Sequence, residues 1–566
     1  MAEALNIKGR GVLGLLAGLV TLLSIYVISD TELRLNFLAD DAFYVTLPAK
    51  HYVESGEFPS LDGVNPTNGF HPMIFFIDVL FAKAGIADIY LANMVVGVAF
   101  HLLTAWLFLR FADRFLSKST ATWLTAGLLV NPFLIASAWS GLESTLFTSA
   151  IIIYYGRLFG LVNGWCKGES QPWQTWLIQG LLGVLCYLCR TEFLFHMLGH
   201  AMAYFILWGM AIKQGRANDI FKSLVPWLIL VVPPTVTFFL YGTWGKSVTG
   251  HFTQSSASQK SVIHELAAGN FTAVDPARFF SGFQDHGLMM VLVFLCPFLG
   301  LLKYFRRIPP GLLFILCSTF AILFFYSLLI PIYQWHYMAS YVVMLSISIP
   351  LFIHSGGEEK VLPKIYNLLL VVVVVGLIGW VYATDQGDAY QFRNLDLVFG
   401  VIFAGSWIVL LRDKPFLERH AYASVMAGIL ACCTMVWFGK SFRQIHYYRL
   451  EISEKMTKVL PEGTKVGVAA AGIYAKFLDE ENLHTVVNLD GAISWPTLEA
   501  IREDKLLEFI DEQQIDVLLE APANPKFEKI PRQDAGEKDH FIQVRSTRTD
   551  LLPQMRKAFL DNPAQE

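Results

Sequence analysis

Apolar residues gather in long runs at 11–29, 89–109, 119–138, 144–161, 174–189, 193–212, 223–241, 287–303, 310–329, 338–354, 364–383, 395–411 and 421–438. A helix crossing the hydrocarbon core needs roughly 20 apolar residues, so the pattern predicts a polytopic α-helical membrane protein of about thirteen spans. A shorter run, 73–86, carries Asp78 and Lys83 and is expected to lie on the membrane surface. From about Lys440 the pattern changes to short β-like runs, Lys465-Val-Gly-Val-Ala, His484-Thr-Val-Val-Asn and Ile515-Asp-Val-Leu-Leu, alternating with helical stretches such as 497–513. That alternation predicts a small soluble α/β domain over 439–566, following a transmembrane domain over 1–438.

Charge placement orients the chain. The first run follows Lys8 and Arg10 and ends without a small-residue cleavage site, which makes it an uncleaved anchor with a cytoplasmic N-terminus. If 73–86 does not cross, Arg110/Arg114/Lys118, Lys213/Arg216/Lys222, Lys303/Arg306/Arg307, Lys360/Lys364 and Arg412/Lys414/Arg419 all fall inside, as positive residues should. An odd number of crossings then sends the tail outside. The first outward loop (30–88) and a second long one (242–286) hold most of the polar residues that could carry chemistry.

Composition narrows the class further. Of 566 residues 54% are hydrophobic and 16% charged, with 44 Phe, 21 Tyr and 14 Trp, and the mean hydropathy is +0.47. A soluble multidomain enzyme of this length would need a larger charged coat. Forty-three basic residues against 47 acidic ones leave a net charge of −4 and no basic footprint for nucleic acid. Seven cysteines lie in apolar runs or in the loop 164–173; Cys186 and Cys189 have CxxC spacing but no companion pair, so a buried apolar pair is the better reading than zinc.

At the exit of the first run stand Asp40 and Asp41, in Ala39-Asp-Asp-Ala-Phe-Tyr44. Carboxylates there are costly unless used, yet they would also serve as caps of an amphipathic segment 42–55. The same loop carries Gly63-Val-Asn-Pro-Thr-Asn-Gly-Phe-His-Pro72, whose turn formers alone could explain it; Asn68 and His71 are its candidates for substrate contact. Asn65-Pro-Thr is no glycosylation acceptor, since Pro occupies the middle position. Ser140-Gly-Leu-Glu143 and Arg190-Thr-Glu192 form tight turns between runs, where Glu143 reads either as chemistry or as a helix-start acid and Arg190 with Glu192 as a self-satisfied ion pair or as support for a site.

In this order, Asp40-Asp41-Ala-Phe-Tyr, Asn65-Pro-Thr-Asn-Gly-Phe-His-Pro72, Ser140-Gly-Leu-Glu143, Arg190-Thr-Glu192 and the tail's Val486-Val-Asn-Leu-Asp-Gly491 resemble bacterial GT-C glycosyltransferases of the protein mannosyltransferase, aminoarabinose transferase and arabinofuranosyltransferase types. The resemblance implies a sugar taken from a polyprenyl-phosphate donor to an extracytoplasmic glycan, lipid or protein, with inversion. It implies Asp40, ahead of Asp41, as the general base, Glu143 as the second acid, and the cytoplasmic membrane as the location. Polyprenyl phosphate leaves readily beside a cation, so one carboxylate accepting the hydroxyl's proton can suffice. For that cation Lys260 is the first choice and Lys246 the second, against their being merely solvated. His336 and Tyr337, in Pro331-Ile-Tyr-Gln-Trp-His-Tyr337, are further sugar or phosphate contacts, while Trp335 suits the interface belt. Glu143 does not form the Asp-x-Asp metal motif of the oligosaccharyltransferase relatives, so no cofactor is called for and a divalent metal is left open without being indicated. His101, His196 and His200 are expected to be satisfied between helices.

A polytopic transporter or lipid-linked sugar flippase is the rival reading, but transporters favour inverted repeats and broken midplane helices, whereas the acids here cluster at one face. A polymerase or ligase using a diphosphate-linked donor would need more outward positive charge.

Overall fold

The computed structural model describes residues 2–169, 171–213, 217–259, 309–324, 338–356, 445–469, 471–480, 484–521, 524–531 and 541–559, together with 262 and a few residues between 422 and 436. In chain order the helices are α1 (Ala2–Ser29), α2 (Thr31–Phe37), α3 (Asp40–Ser55), α4 (Pro72–Lys83), α5 (Ile89–Ala112), α6 (Lys118–Leu129), α7 (Pro132–Trp139), α8 (Ser144–Cys166), α9 (Trp173–Cys189), α10 (Phe193–Lys213) and α11 (Ala217–Thr249). There follow α12 (Pro310–Phe324), α13 (Met338–Gly356) and, in the tail, α14 (Ile445–Thr457), α15 (Trp495–Arg502), α16 (Leu506–Glu512) and α17 (Leu552–Phe559).

The protein is a polytopic helical membrane protein. Among the described residues five helices are long and apolar enough to cross a membrane: Gly11–Ser29, Ile89–Ala112, Ser144–Cys166, Phe193–Lys213 and Leu224–Thr249. A sixth crossing arises if α6 and α7, bent by 49°, count as one span. The bend falls at Asn131-Pro132, where Asn131 caps α7 through its side chain and Pro132 occupies the first helical position. The expected spans at 287–303, 364–383 and 395–411 lie outside the described residues.

The chain divides into two compact units. The first comprises 1–31, 93–238 and 272–440; the second comprises 32–92, 239–271 and 441–566. Segments expected as loops of the transmembrane domain thus share the second unit with the tail.

Three features differ from the sequence expectation. The helix of the last span before the second loop does not stop at 241; α11 continues to Thr249, so the loop begins at Gly250 and Lys246 sits in the helix's last turn, where a cation complements the carbonyl end. Asp40 and Asp41 are not the cap of the 42–55 segment: α3 begins with them, Ala39 holds the cap position, and no side chain caps it. The stretch 497–513 is two helices, because Asp504 adopts a left-handed φ of 57° and ends the first.

The expected run at 73–86 is α4, whose 12 residues are too few to span. It packs on α3 through Val45, Ala49, Phe70, Ile74, Phe75 and Val79, and its fully buried Asp78 accepts a hydrogen bond from Thr46 Oγ1 at 2.7 Å.

The tail folds on a five-stranded sheet of order β2-β1-β3-β5-β4. β1 (Lys465–Val468), β2 (Thr485–Asn488) and β3 (Val517–Leu519) are parallel and coincide with the three expected runs; β4 (Phe527–Pro531) and β5 (Phe541–Arg545) add an antiparallel edge. Val466, Val468, Val486, Val517, Leu518 and Leu519 are buried, as near-continuous apolar runs in a parallel sheet should be.

Candidate active site

In open α/β sheets the groups that do work sit beyond the carboxyl ends of the parallel strands. In the second unit the ends of β1 and β2 meet the start of α3, and the end of β3 reaches it through Arg449. The segment after β1 supplies Ala471, Gly472 and Ile473; the end of β2 supplies Asn488 and Asp490; the residue after β3 is Glu520.

Asp40 lies in the first turn of α3, where the exposed amides favour a carboxylate. Its Oδ1 accepts the Ile473 amide at 3.3 Å and faces Arg449 Nη1 at 3.7 Å. Oδ2 takes no contact among the described residues, and the side chain is 19% exposed. Gly472 makes this approach feasible, since a Cβ there would lie 2.7 Å from both the backbone oxygen and Oδ1 of Asp40. Asp41 is its partly buried neighbour.

One turn along α3, the buried Tyr44 hydroxyl accepts the Ala471 amide at 2.9 Å. Burial first, and then the charges of Asp40, Asp490 and Asp41, push the Tyr44 phenol well above its usual range, so it stays protonated. Asp490 accepts the Ala492 amide at 2.7 Å. Burial raises its carboxyl to about 7, against the lowering effect of its hydrogen bonds to Ala492 and Asn488. The Asp40 and Asp41 charges add to that rise.

Behind Asp40, Arg449 of α14 is 7% exposed. It donates to Glu520 from Nη2 at 2.8 Å and from Nε at 3.4 Å, and Tyr474 Oη donates to Glu520 Oε1 at 3.3 Å. Glu520 holds a left-handed φ of 51°, uncommon for a residue other than glycine.

Of the residues expected from the first loop, Asn68 is fully buried and committed to protein contacts. Its Nδ2 donates to the Thr253 carbonyl at 2.9 Å, and its Oδ1 accepts the Ser255 amide at 3.2 Å and Trp495 Nε1 at 3.0 Å. Gly69 follows because a Cβ would come within 2.6 Å of both the Ala492 carbonyl and Ser255 Oγ. The His251 ring stacks on Trp495 with centroids 3.7 Å apart and pairs with Glu499 at 3.2 Å. His71 holds the cap position of α4 without a side-chain cap bond. Lys246 is exposed. Lys260, His336 and Tyr337 lie outside the described residues.

The first unit holds the other expected acids. Arg190 Nη1 donates to Glu143 Oε1 at 2.8 Å and to Ser144 Oγ at 3.3 Å, and Arg190 meets Glu192 through Nε and Nη2, each at 3.1 Å. Arg190 and Glu143 are 2% exposed, so the two turns share one buried ion cluster rather than carrying separate charges. His101 Nε2 donates to the Leu129 carbonyl at 2.8 Å, and His196 and His200 bond Tyr155 at 2.7 and 3.3 Å, each an interhelical contact. Among the described residues no group of three His, Cys, Asp or Glu is arranged to hold a metal.

Arg449, Glu520 and Tyr474 were not singled out from the sequence. Nothing in Tyr447-Tyr-Arg449 or Leu519-Glu520 distinguishes them from solvated charges. The small-residue run Ala469-Ala-Ala-Gly472 after a predicted strand is the one signal of close backbone approach.

No protein-family model matches the chain, and no curated protein matches its sequence. Its fold is shared with solved structures. ArnT from Cupriavidus metallidurans bound to undecaprenyl phosphate matches at a TM-score of 0.58 and 12% identity over 94% of this chain and 98% of that one. The apo state of the same ArnT matches at 0.50 and 12% over 90% and 89%. The archaeal oligosaccharyltransferase AglB from Archaeoglobus fulgidus, in complex with an inhibitory peptide and a dolichol-phosphate, matches at 0.50 and 11% over 90% and 69%. The fold is thus of the GT-C type, with a small C-terminal sheet domain.

Proposed function

We propose that the protein is a membrane glycosyltransferase that moves a sugar from a polyprenyl-phosphate donor to an extracytoplasmic acceptor, with Asp40 as general base. The observation that carries this reading is the setting of Asp40: one carboxylate oxygen held by an amide and a guanidinium, the other without a contact among the described residues, on a chain of GT-C fold. The matched structures were solved with undecaprenyl phosphate and with a dolichol-phosphate bound, which supports a lipid-phosphate donor here.

In the proposed reaction the acceptor hydroxyl gives its proton to Asp40 Oδ2 as its oxygen bonds to the anomeric carbon. The bond from that carbon to the phosphate oxygen breaks, and polyprenyl phosphate departs with the bonding pair. Attack opposite the leaving group inverts the centre. Charge in the oxocarbenium-like transition state is stabilised by the nearby carboxylates, Asp41 included. Lys246, and Lys260 beyond it, are assigned to the donor phosphate, with His71, His336 and Tyr337 as further contacts to donor or sugar. Asn68 contributes by fixing the loops. Glu143 is the second acid that the resemblance implies, held by Arg190, which it shares with Glu192. The N-terminus is assigned to the cytoplasm and the tail to the outer side of the cytoplasmic membrane.

The test is incubation of the purified protein with a panel of polyprenyl-phosphate sugars, following release of carrier phosphate. Asp40→Asn is expected to lower turnover by about 100-fold or more while leaving donor binding within about twofold. Full turnover in that variant would move the base elsewhere.

A further inference from the structure

We propose that Arg449 is a positioning residue that aims the Asp40 carboxylate at the acceptor hydroxyl; the proposal rests on Asp40 being the base. Four observations converge on it. Arg449 is almost buried, yet Glu520 alone already neutralises it through Nη2 and Nε. Its remaining terminal nitrogen, Nη1, is directed to Asp40 Oδ1 at 3.7 Å. The Ile473 amide hydrogen-bonds the same oxygen, so a donor and a cation both favour one side of the carboxylate and the other oxygen is set in a defined direction. The Gly472–Tyr474 turn also supplies the Tyr474 hydroxyl that holds Glu520, so a single turn aligns the amide on Asp40 and the acid on Arg449.

This arrangement distinguishes positioning from phosphate capture. A donor phosphate would want an open guanidinium fork. Here the Nε/Nη2 edge, the fork that would grip a phosphate side-on, is taken by Glu520, and Nη1 faces Asp40 at ion-pair distance. A purely structural Arg–Glu pair would have no need of Asp40 Oδ1. Glu520 meanwhile keeps a left-handed backbone, a conformation tolerated where the surroundings over-determine it and common where geometry serves function.

The experiment uses the full-length protein in lipid nanodiscs with a polyprenyl-phosphate sugar that it turns over. Arg449→Met is expected to reduce kcat roughly 10- to 100-fold with donor KM within about twofold, since small misplacement of a reacting group carries penalties of that size. Arg449→Lys, which keeps a charge but not the fork, is expected to recover part of the loss. Glu520→Gln keeps the guanidinium and loosens its anchor; it is expected to lower kcat about 3- to 10-fold, and it decides the matter should Arg449→Met fail to fold. Thermal melting of each variant separates misfolding from misplacement. Unchanged kcat in a folded Arg449→Met or in Glu520→Gln, or a raised donor KM at unchanged kcat, overturns the positioning role while Asp40→Asn remains inactive. Turnover by Asp40→Asn instead overturns the base assignment itself.

Discussion

At the residue scale the second unit concentrates acids where water is scarce. Asp490 shows the consequence, with burial raising its carboxyl to about 7 from a usual 3.8. The folded protein therefore binds a proton there that the unfolded chain has already released between those values. Such a group favours the unfolded state progressively as pH climbs from about 4 to about 7, and the penalty is complete above that. Asp490→Asn should accordingly gain on the wild type across this window, by on the order of 2 kcal/mol at neutral pH after allowance for the partial exposure of Asp490. Denaturation midpoints of the two proteins at pH 4, 5.5 and 7.5 check it; a gap that does not widen with pH removes the buried-acid account. Asp40 drew notice in the sequence through its motif and its place after an apolar run, and the role proposed for it rests on the contacts the fold then supplies. Arg449 drew none, because a cation's use depends on which acids the fold carries to it, and Glu520 stands 71 residues further along the chain.

At the element scale the legible features were those written in periodicity. The spans beginning near 11, 89, 144 and 193 and the three parallel strands all declare themselves through local runs. The end of α11 did not: Thr243, Lys246, Ser247 and Thr249 read as loop, yet Thr243 and Thr249 bond their own helix four residues back and let the turns continue. The role of Asn68 was also hidden, because Asn-Gly is a turn signal whether or not the side chain is used. Asn68 joins the first loop, the segment after α11 and α15 by three hydrogen bonds at full burial. Truncation to alanine strands the Trp495 indole N–H and the Ser255 amide without their acceptor, each such loss amounting to about 1–3 kcal/mol. Asn68→Ala should thus lower unfolding stability by about 2–4 kcal/mol. The measurement is denaturation in detergent; a loss under half a kcal/mol would mean the loops are held by other contacts.

At the scale of the whole molecule the tail is not an appendage. The second unit draws 32–92, 239–271 and 441–566 into one body; Tyr44 and Asn68 are buried against partners beyond residue 441, and Gly69 lies close against Ala492. Deletion of 441–566 would uncover those groups. The shortened chain is expected to insert but to yield little folded protein, with protease cutting within 32–92 at a rate at least about tenfold above that of the full chain. Co-expression of 441–566 as a separate chain should restore protection. A truncated protein as resistant as the parent would show that the first loop folds by itself. The change in composition near 440 is written in the sequence, but sequence pattern could not show that two earlier segments join the tail in one unit, since such pairing is a long-range matter.

The amide that steadies Asp40 belongs to Ile473, 433 residues downstream. At ordinary synthesis speeds of about 5–20 residues per second, the ribosome reaches that amide roughly 20 to 90 seconds after making the aspartate. During that interval a half-made chain carries Asp40 without the amide that holds Oδ1, so the setting proposed for the base is completed only once the tail has been made.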